Sequence, residues 1–444
     1  MNGGIAAMRG LSRESRTKAL LLSSWFFVTI ATLWLLKPIR QASLLAHLGA
    51  RELPYVRFGS VIAVALIVAI YSRVVDRLSR LQVAKGANFV FAAVLVVLWT
   101  ALRLGGDELG RERWFVWLVF ILVDIYSTVM VGIFWTYTND VCTREEADRI
   151  YGPIGLGGIL GGIAGGALVD GLVLWIGQVD ILLVCIGLML VCASIVAKSE
   201  SLLHPPARTI ERDGAHGASA LDGARLVMHS RYLLLIVGIV LSYEFAAATT
   251  DFVVNVVFER AYTDKDLLAK MFGRLGWVVS GAALVSQLFV VPVLLPRKRL
   301  ALLVPPLVMT VATVGFAVAP VAVFAFVMTS ADRGLNYSLQ QSTKETLYVP
   351  LSDTEKYKAK AFIDMLVDRL AKGLSSVALM IAIAASGVSI AISLAIALGA
   401  LAIWIACAAQ LGRAYPDVTS QRLPRHRAEP RAPRASPSPH SGYP

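Results

Sequence analysis

An all-α, polytopic membrane protein built as two six-helix bundles is the fold class this sequence predicts, and three observations predict it. Of its 444 residues 57% are hydrophobic and only 16% charged, with a mean hydropathy of +0.67, whereas a soluble domain carries about 25% charged residues. Apolar runs recur at the length needed to cross a hydrocarbon layer about 30 Å thick. The longest polar interruption among them, Ser199 to Arg225 with Pro205-Pro206, divides the runs six and six.

Each run can be placed in turn. The first, 19–38, follows Arg9, Arg13, Arg16 and Lys18. Its end, Leu36-Lys37-Pro38-Ile39-Arg40, offers no small-residue cleavage site, so it is expected to stay as a span rather than leave as a signal peptide. The second and third, 54–72 and 86–104, flank a basic loop at 73–85. The fourth, 114–136, contains Asp124; the fifth, 152–174, is glycine-rich; the sixth, 177–197, leads into the polar interruption. Then come 231–251 with Glu244 and Asp251, 272–295, 299–319 behind Arg297-Lys298-Arg299, 321–343, 361–387 and 389–411. The expected organisation is an N-terminal segment 1–18, a bundle at 19–197, a linker at 198–230, a second bundle at 231–411, and a disordered Pro- and Arg-rich tail at 412–444.

Net charge is +12 and the pI 9.6. The basic residues fall in the N-terminus, the 73–85 loop, the linker, Arg297 to Arg299 and the tail, which lie on one side if spans alternate. The rule that cytoplasmic loops are positive puts both termini in the cytoplasm and removes the need for a nucleic-acid partner. Arg40, Arg51, Arg103, Arg111 and Arg113 are exceptions, expected in outer connections. Cys142, Cys185, Cys192 and Cys407 form no CxxC pair, and neither a metal cluster nor a disulfide framework is expected. The absence of HExxH, GxSxG and a Walker lysine argues against an enzyme. No cofactor is expected, the lipid bilayer is the surrounding partner, and a monomer is the simplest assembly.

Gly152 to Gly166 contains two ladders at four-residue spacing: Gly157, Gly161, Gly165 and Gly158, Gly162, Gly166. Small residues so spaced line one helix face and let a second backbone approach; a ligand role is the lesser alternative. Arg73, Asp76 and Arg77 could latch a gate through ion pairs or simply form a solvated positive loop. Ionisable residues within spans are costly, roughly 2.5–3.5 kcal/mol each on insertion scales, and must face protein or water. Asp124 heads a polar stripe with Ser127 and Thr128. Glu244, Asp251 and Asn255 share a face, for substrate or coupling-ion contact or as partners of an arginine elsewhere. Arg333, Tyr337, Gln340 and Lys344 read as one cationic helical stripe. Trp34, Lys37 and Arg40 form a second basic group, with Trp34 either packing or facing a base. Two such clusters would suit a multiply charged anion, arginine adding planar bidentate contacts.

Four blocks carry a resemblance: Leu36-Lys-Pro-Ile-Arg-Gln-Ala-Ser with His47-Leu-Gly-Ala; Phe134-Trp-Thr-Tyr-Thr-Asn-Asp140; Leu335-Asn-Tyr-Ser-Leu-Gln-Gln-Ser-Thr-Lys-Glu-Thr-Leu-Tyr-Val-Pro350; and Glu355-Lys-Tyr-Lys-Ala-Lys-Ala-Phe-Ile-Asp364. They resemble the nucleotide transporter family of ATP/ADP translocases, over roughly residues 20–411. The resemblance implies a fold like that of the major facilitator superfamily, a bacterial inner-membrane location, alternating access, and exchange of ATP for ADP plus phosphate. Arg40 matches the family's basic residue near the end of the first span, Asp124 its acid in the fourth, and Lys344 the lysine of its Thr-Lys-Glu block. The family's acid in the seventh span has no clean partner, since Glu244 and Asp251 both fall slightly off it, and Gln41 stands where relatives carry an acid.

Three functions stay open at this point. The leading one is an antiporter of ATP/ADP or another organic phosphate, with Lys37, Arg40, Arg333 and Lys344 on phosphate oxygens and Asp124 and Glu244 organising them. The second is a proton-coupled carrier of another solute, with Asp124, Glu244 or Asp251 holding the proton. The third is a non-transporting receptor or scaffold.

Overall fold

The computed structural model describes residues 13–75, 79–202 and 220–427, which contain helices and no strands. Helix α1 (Arg13–His47) continues through Pro38 past the predicted end of the first span, so Arg40 sits on a helix and not in an outer loop. A 3-10 turn at Ala50–Glu52 leads into α2 (Leu53–Val75). Ser79 and Gln82 then close a reciprocal capping box, which satisfies backbone N–H groups at the start of α3 (Arg80–Arg111). Helix α4 (Arg113–Val141) comes directly after Glu112.

Helix α5 (Arg144–Leu202) is two helical arms joined across a kink at Gly177, whose φ of 76° suits a residue without Cβ. Within the expected polar linker lies α6 (Ala220–His229). Side-chain caps from Ser230 and Asp264 start α7 (Arg231–Ala261) and α8 (Lys265–Val285). A π-helical turn, Ser286–Val290, joins α8 to α9 (Val291–Leu294), and α10 (Lys298–Val318) comes next. Two more π-helical turns interrupt the next spans. Asn336–Gln340 separates α11 (Ala322–Leu335) from α12 (Gln341–Leu347), and Phe362–Val367 separates α13 (Asp353–Ala361) from α14 (Asp368–Ser386).

Helix α15 (Ile390–Arg427) runs beyond the point where the tail was expected to become disordered, because Ala414, Tyr415 and Val418 still pack on the core of the second bundle. Nine helical stretches among the described residues are long and apolar enough to cross a membrane, one of them the kinked 149–199 stretch. The helical stretches 322–347 and 353–386 stand outside that set and carry Arg333, Lys344, Asp364, Asp368 and Lys372.

The glycine ladders set how α1 and α5 meet. A Cβ on Gly157, Gly161 or Gly165 would strike the backbone of Ser23, Phe27 or Ala31, which keep the same four-residue step on α1. The second ladder faces Phe26 at Gly158, Ser280 and Trp34 at Gly162, and Gly273 and Trp277 at Gly166, so it also carries the contact between α5 and α8. Gly161→Val is therefore expected to lower the unfolding midpoint in detergent, since overpacking costs about 1–3 kcal/mol.

Among the described residues, the hydrophobic core that joins the two bundles lies at one end. One core cluster runs from the first bundle into Phe252, Phe258, Leu275, Phe316, Met328 and Leu379 of the second. These lie toward the end where α1 turns into α2, called here the sealed end. A separate cluster, including Ile236, Leu302, Tyr348 and Trp404, belongs to the second bundle alone and lies toward the other end.

At that other end the first bundle has its own polar tie. Lys18 Nζ donates to Glu146 Oε2 at 3.0 Å and to the carbonyl of Val141 at 3.1 Å. Partial burial works to raise the Glu146 carboxyl, but the Thr143 N–H and Lys18 outweigh it and hold it below its usual value. A depressed carboxyl stabilises above its unfolded value, and that stabilisation is lost as pH falls through the folded value. Thermal stability of the wild type should thus fall toward that of Glu146→Gln on acidification, and the two should separate above the normal glutamate range.

Candidate functional site

Ionisable residues from both bundles meet in one cavity of about 650 Å³. It runs along α2 from Arg57 to Val68, about 16 Å at 1.5 Å per residue, away from the sealed end. Arg40 of α1, Asp124, Ser127 and Thr128 of α4, and Ser60 of α2 line the side of the first bundle. Glu244 and Asp251 of α7, Arg333 of α11, Asp364 of the third π turn, and Asp368, Arg369 and Lys372 of α14 line the other. A cavity this size falls within the range that holds small-molecule ligands.

Most of these charges are paired with one another. Arg40 is ion-paired to Asp124, its guanidinium lies 4.2 Å over the Phe120 ring, and Nη1 also donates to the Phe120 carbonyl at 3.3 Å. Its Nε, buried, has no hydrogen-bond partner. Ser60 Oγ donates to the second oxygen of Asp124 at 2.5 Å. Asp251 bridges the bundles, accepting Arg57 from the first and Arg333 from the second. Beside it, Gln41 Nε2 donates to Asn255 Oδ1 at 2.6 Å, another link from bundle to bundle. Lys372 Nζ lies 2.7 Å from Asp368 and 3.9 Å from Glu244.

The residues expected from sequence are distributed unevenly around this cavity. Arg40, Asp124, Glu244, Asp251 and Arg333 line it. Lys37 does not; its ammonium lies 5.0 Å over the Trp34 ring. Trp34 is 8% exposed and packs against Gly162 and Gly276, so the structure gives it a packing position away from the cavity wall. The expected single stripe of Arg333, Tyr337, Gln340 and Lys344 is broken, because the π turn Asn336–Gln340 adds to the helical repeat and rotates the residues beyond it. Arg333 consequently lines the central cavity, and Gln340 and Lys344 line a second, smaller one. Tyr337 lines neither and is 47% exposed. Lys344 Nζ is bonded to Asp364 at 3.0 Å. Of the possible gate, Arg73 is exposed and bonds the Ala69 carbonyl, while Asp76 and Arg77 lie outside the described residues.

Sequence reasoning missed Arg57, Asp368, Arg369 and Lys372. A signal was present for two of them: Asp364, Asp368 and Lys372 recur every four residues inside the 361–387 span, the same cost argument that singled out Asp124. Several supposed outer-loop arginines also find explanations. Arg40 points into the cavity, Arg103 pairs with Asp180, and Arg113 with Glu52 at 3.0 Å.

Residues 99–330 and 317–415 match the family model described as TLC ATP/ADP transporter. Among similar proteins, ADP,ATP carrier protein 2 of Chlamydia trachomatis serovar D is 24% identical over 463 residues, covering 86% of this chain and 85% of that one. The plastidic ATP/ADP-transporter of Solanum tuberosum is 22% identical over 299 residues, covering 58% of this chain and 46% of that one. Of solved structures, the nucleoside transporter NupG superposes with a TM-score of 0.59 at 12% identity, covering 90% of this chain and 98% of that one. A bacterial homologue of the iron transporter ferroportin in an inward-facing state gives 0.58 at 14% identity, covering 89% and 98%. The chain thus shares the helical architecture of these solved transporters.

Proposed function

Since this chain belongs to the TLC ATP/ADP transporter family, we propose that it exchanges ATP and ADP, or closely related organic phosphates, by alternating access at the cavity between its bundles. The observation that carries this reading is the convergence of Arg40, Arg57, Arg333, Arg369 and Lys372 from both bundles on one cavity. Guanidinium groups bind phosphate oxygens in bidentate fashion, and a polyphosphate needs several at once.

The resident acids explain why such a site would exchange and not leak. With no anion present, Asp251 holds Arg57 and Arg333 across the bundles and ties them together. A phosphate chain competes for those same guanidinium groups, so binding loosens the tie and lets the bundles rock. Without substrate the tie re-forms, and the empty carrier reorients slowly. Arg40 undergoes the same exchange of partners with Asp124. Lys344, bonded to Asp364, acts one step away by positioning that acid at the cavity wall.

In this reading the chain crosses the bacterial inner membrane twelve times as a monomer. The 322–347 and 353–386 helices and the kink at Gly177 supply the spans beyond the most apolar ones. The excess of Lys and Arg in the tails and the 73–85 loop supports cytoplasmic termini, and with them an outer sealed end and a cavity that opens inward.

Proteoliposomes loaded with ADP, with ATP or with no nucleotide test the reading through uptake of labelled ATP. Saturable uptake that needs internal nucleotide is expected. A second reading, proton coupling, is favoured by one feature: Glu244 and Asp368 share the single ammonium of Lys372. Uptake driven by an imposed pH gradient into empty vesicles would select it.

A further inference from the structure

The central cavity has an annex. A chamber of about 200 Å³ lies inside the second bundle and shares Glu244, Asp368 and Lys372 with the larger one, so the two adjoin at these three residues, called here the neck. Alone it falls below the roughly 300 Å³ at which pockets begin to hold a whole small-molecule ligand; as an annex it takes one end of a longer one.

Its walls differ from those of the main cavity. Where the main cavity presents four arginines, the annex beyond the shared residues presents one cation, Lys344, already paired with Asp364, beside the side-chain amides of Asn336, Gln340 and Gln341 and the rings of Tyr243 and Trp404, which meet edge to face at 5.3 Å. Asn336 and Gln340 bound the π-helical turn, so the irregularity that breaks the cationic stripe is also what turns amides toward this space. Thr343, on the same wall, is 2% exposed, and its Oγ1 has no hydrogen-bond partner. A buried hydroxyl left unpaired is costly, and a ligand that meets it recovers that cost.

We propose that the annex receives the base of the nucleotide, with the ribose at the neck and the phosphates among the arginines of the main cavity; this rests on the nucleotide reading above. The order of chemistries along the connected chambers matches the order along the ligand. Amides offer a donor and an acceptor side by side, the pattern that pairs with the edge of a base. Carboxylates such as Glu244 and Asp368 accept from ribose hydroxyls, as acids do in dinucleotide sites. Gln340 and Thr343 are therefore specificity residues, separate from the groups that hold charge.

The test is displacement of labelled ATP from the purified full-length protein by ATP, GTP, CTP, 2′-deoxyATP and inorganic tripolyphosphate, comparing wild type with Gln340→Leu, Thr343→Val and Asp368→Asn. Tripolyphosphate carries the charge without base or sugar, and its retained binding certifies a folded main cavity. Gln340→Leu is expected to weaken ATP about tenfold, the size of one lost base contact, to flatten the differences among ATP, GTP and CTP, and to leave tripolyphosphate within about twofold. Thr343→Val is expected to act in the same direction by less, and Asp368→Asn to remove the difference between ATP and 2′-deoxyATP. Variants that weaken tripolyphosphate as much as ATP, or that leave base discrimination intact, would overturn the placement while nucleotide binding stands. A wild type that binds tripolyphosphate as tightly as ATP also overturns it, and one that binds neither removes the nucleotide reading along with it.

Discussion

Asp251→Asn should stop exchange while making the protein bind polyphosphate more tightly. The carboxylate of Asp251 lies between guanidinium groups of opposite bundles, with 17% of its side chain exposed. Removing its charge leaves Arg57 and Arg333 facing each other uncompensated. Breaking a buried charge pair typically costs about 3–5 kcal/mol; because all three groups border an aqueous cavity, the lower end applies, still at least about a hundredfold on the equilibrium that the tie controls. The same change frees two arginines for phosphate and removes the carboxylate that competes the bound anion off them, so tripolyphosphate affinity should rise while slow release makes ATP/ADP exchange fall. Misfolding would depress both, which makes the opposite signs diagnostic. Arg57→Gln added to Asp251→Asn should recover part of the exchange, since it removes the excess charge. Equal loss of binding and transport in the single variant would mean that Asp251 is a scaffold residue and not a competitor for substrate.

The class of this molecule was readable from its residues because bilayer thickness imposes one length on every span, and no soluble core could absorb so many apolar side chains. Asp124, Glu244, Asp251 and Arg333 were readable for a related reason: a charge inside a span is too costly to be accidental. Their pairings were not. Arg57 meets Asp251 across 194 positions, and Gln41 meets Asn255 across 214; such partners depend on helix rotation and tilt, which are set by packing. The fate of the stripe from Arg333 to Lys344 shows a second limit. A helical period assigns faces only while the helix stays α, and one π turn at Asn336–Gln340 redistributes those residues between two chambers. Trp34 shows a third, for a ring next to Lys37 suggests a ligand platform, yet the glycines of α5 and α8 shape a slot that it fills.

Asp170→Ala is expected to unlatch the sealed end. Asp170, on the first arm of α5, accepts Arg274 of α8 through two bonds of 3.1 and 3.2 Å and the Trp277 indole N–H at 3.1 Å, with Lys270 at 3.9 Å. Every one of these bonds crosses between bundles. The Arg274 side chain is 44% exposed, which limits that pair to about 1 kcal/mol or less, but three donors converge on one carboxylate and are lost together. A loss of about 1.4 kcal/mol shifts the balance roughly tenfold toward the form open at this end. Spin labels at Ala46→Cys and Ala261→Cys, at the sealed ends of α1 and α7, should report it as a second, longer distance that grows in the Asp170→Ala background. Other bonds there also oppose opening, among them Glu259 accepting the Ala50 N–H at 2.9 Å and Asp266 accepting the Gln178 N–H at 3.1 Å. An unchanged distance distribution would locate the seal below the polar layer, where Gly166 lies against Gly273 and Trp277 and Trp34 fills the space over Gly276. In that case Gly273→Val, which puts a side chain against Val169 and the backbone of Asp170, becomes the change that opens it.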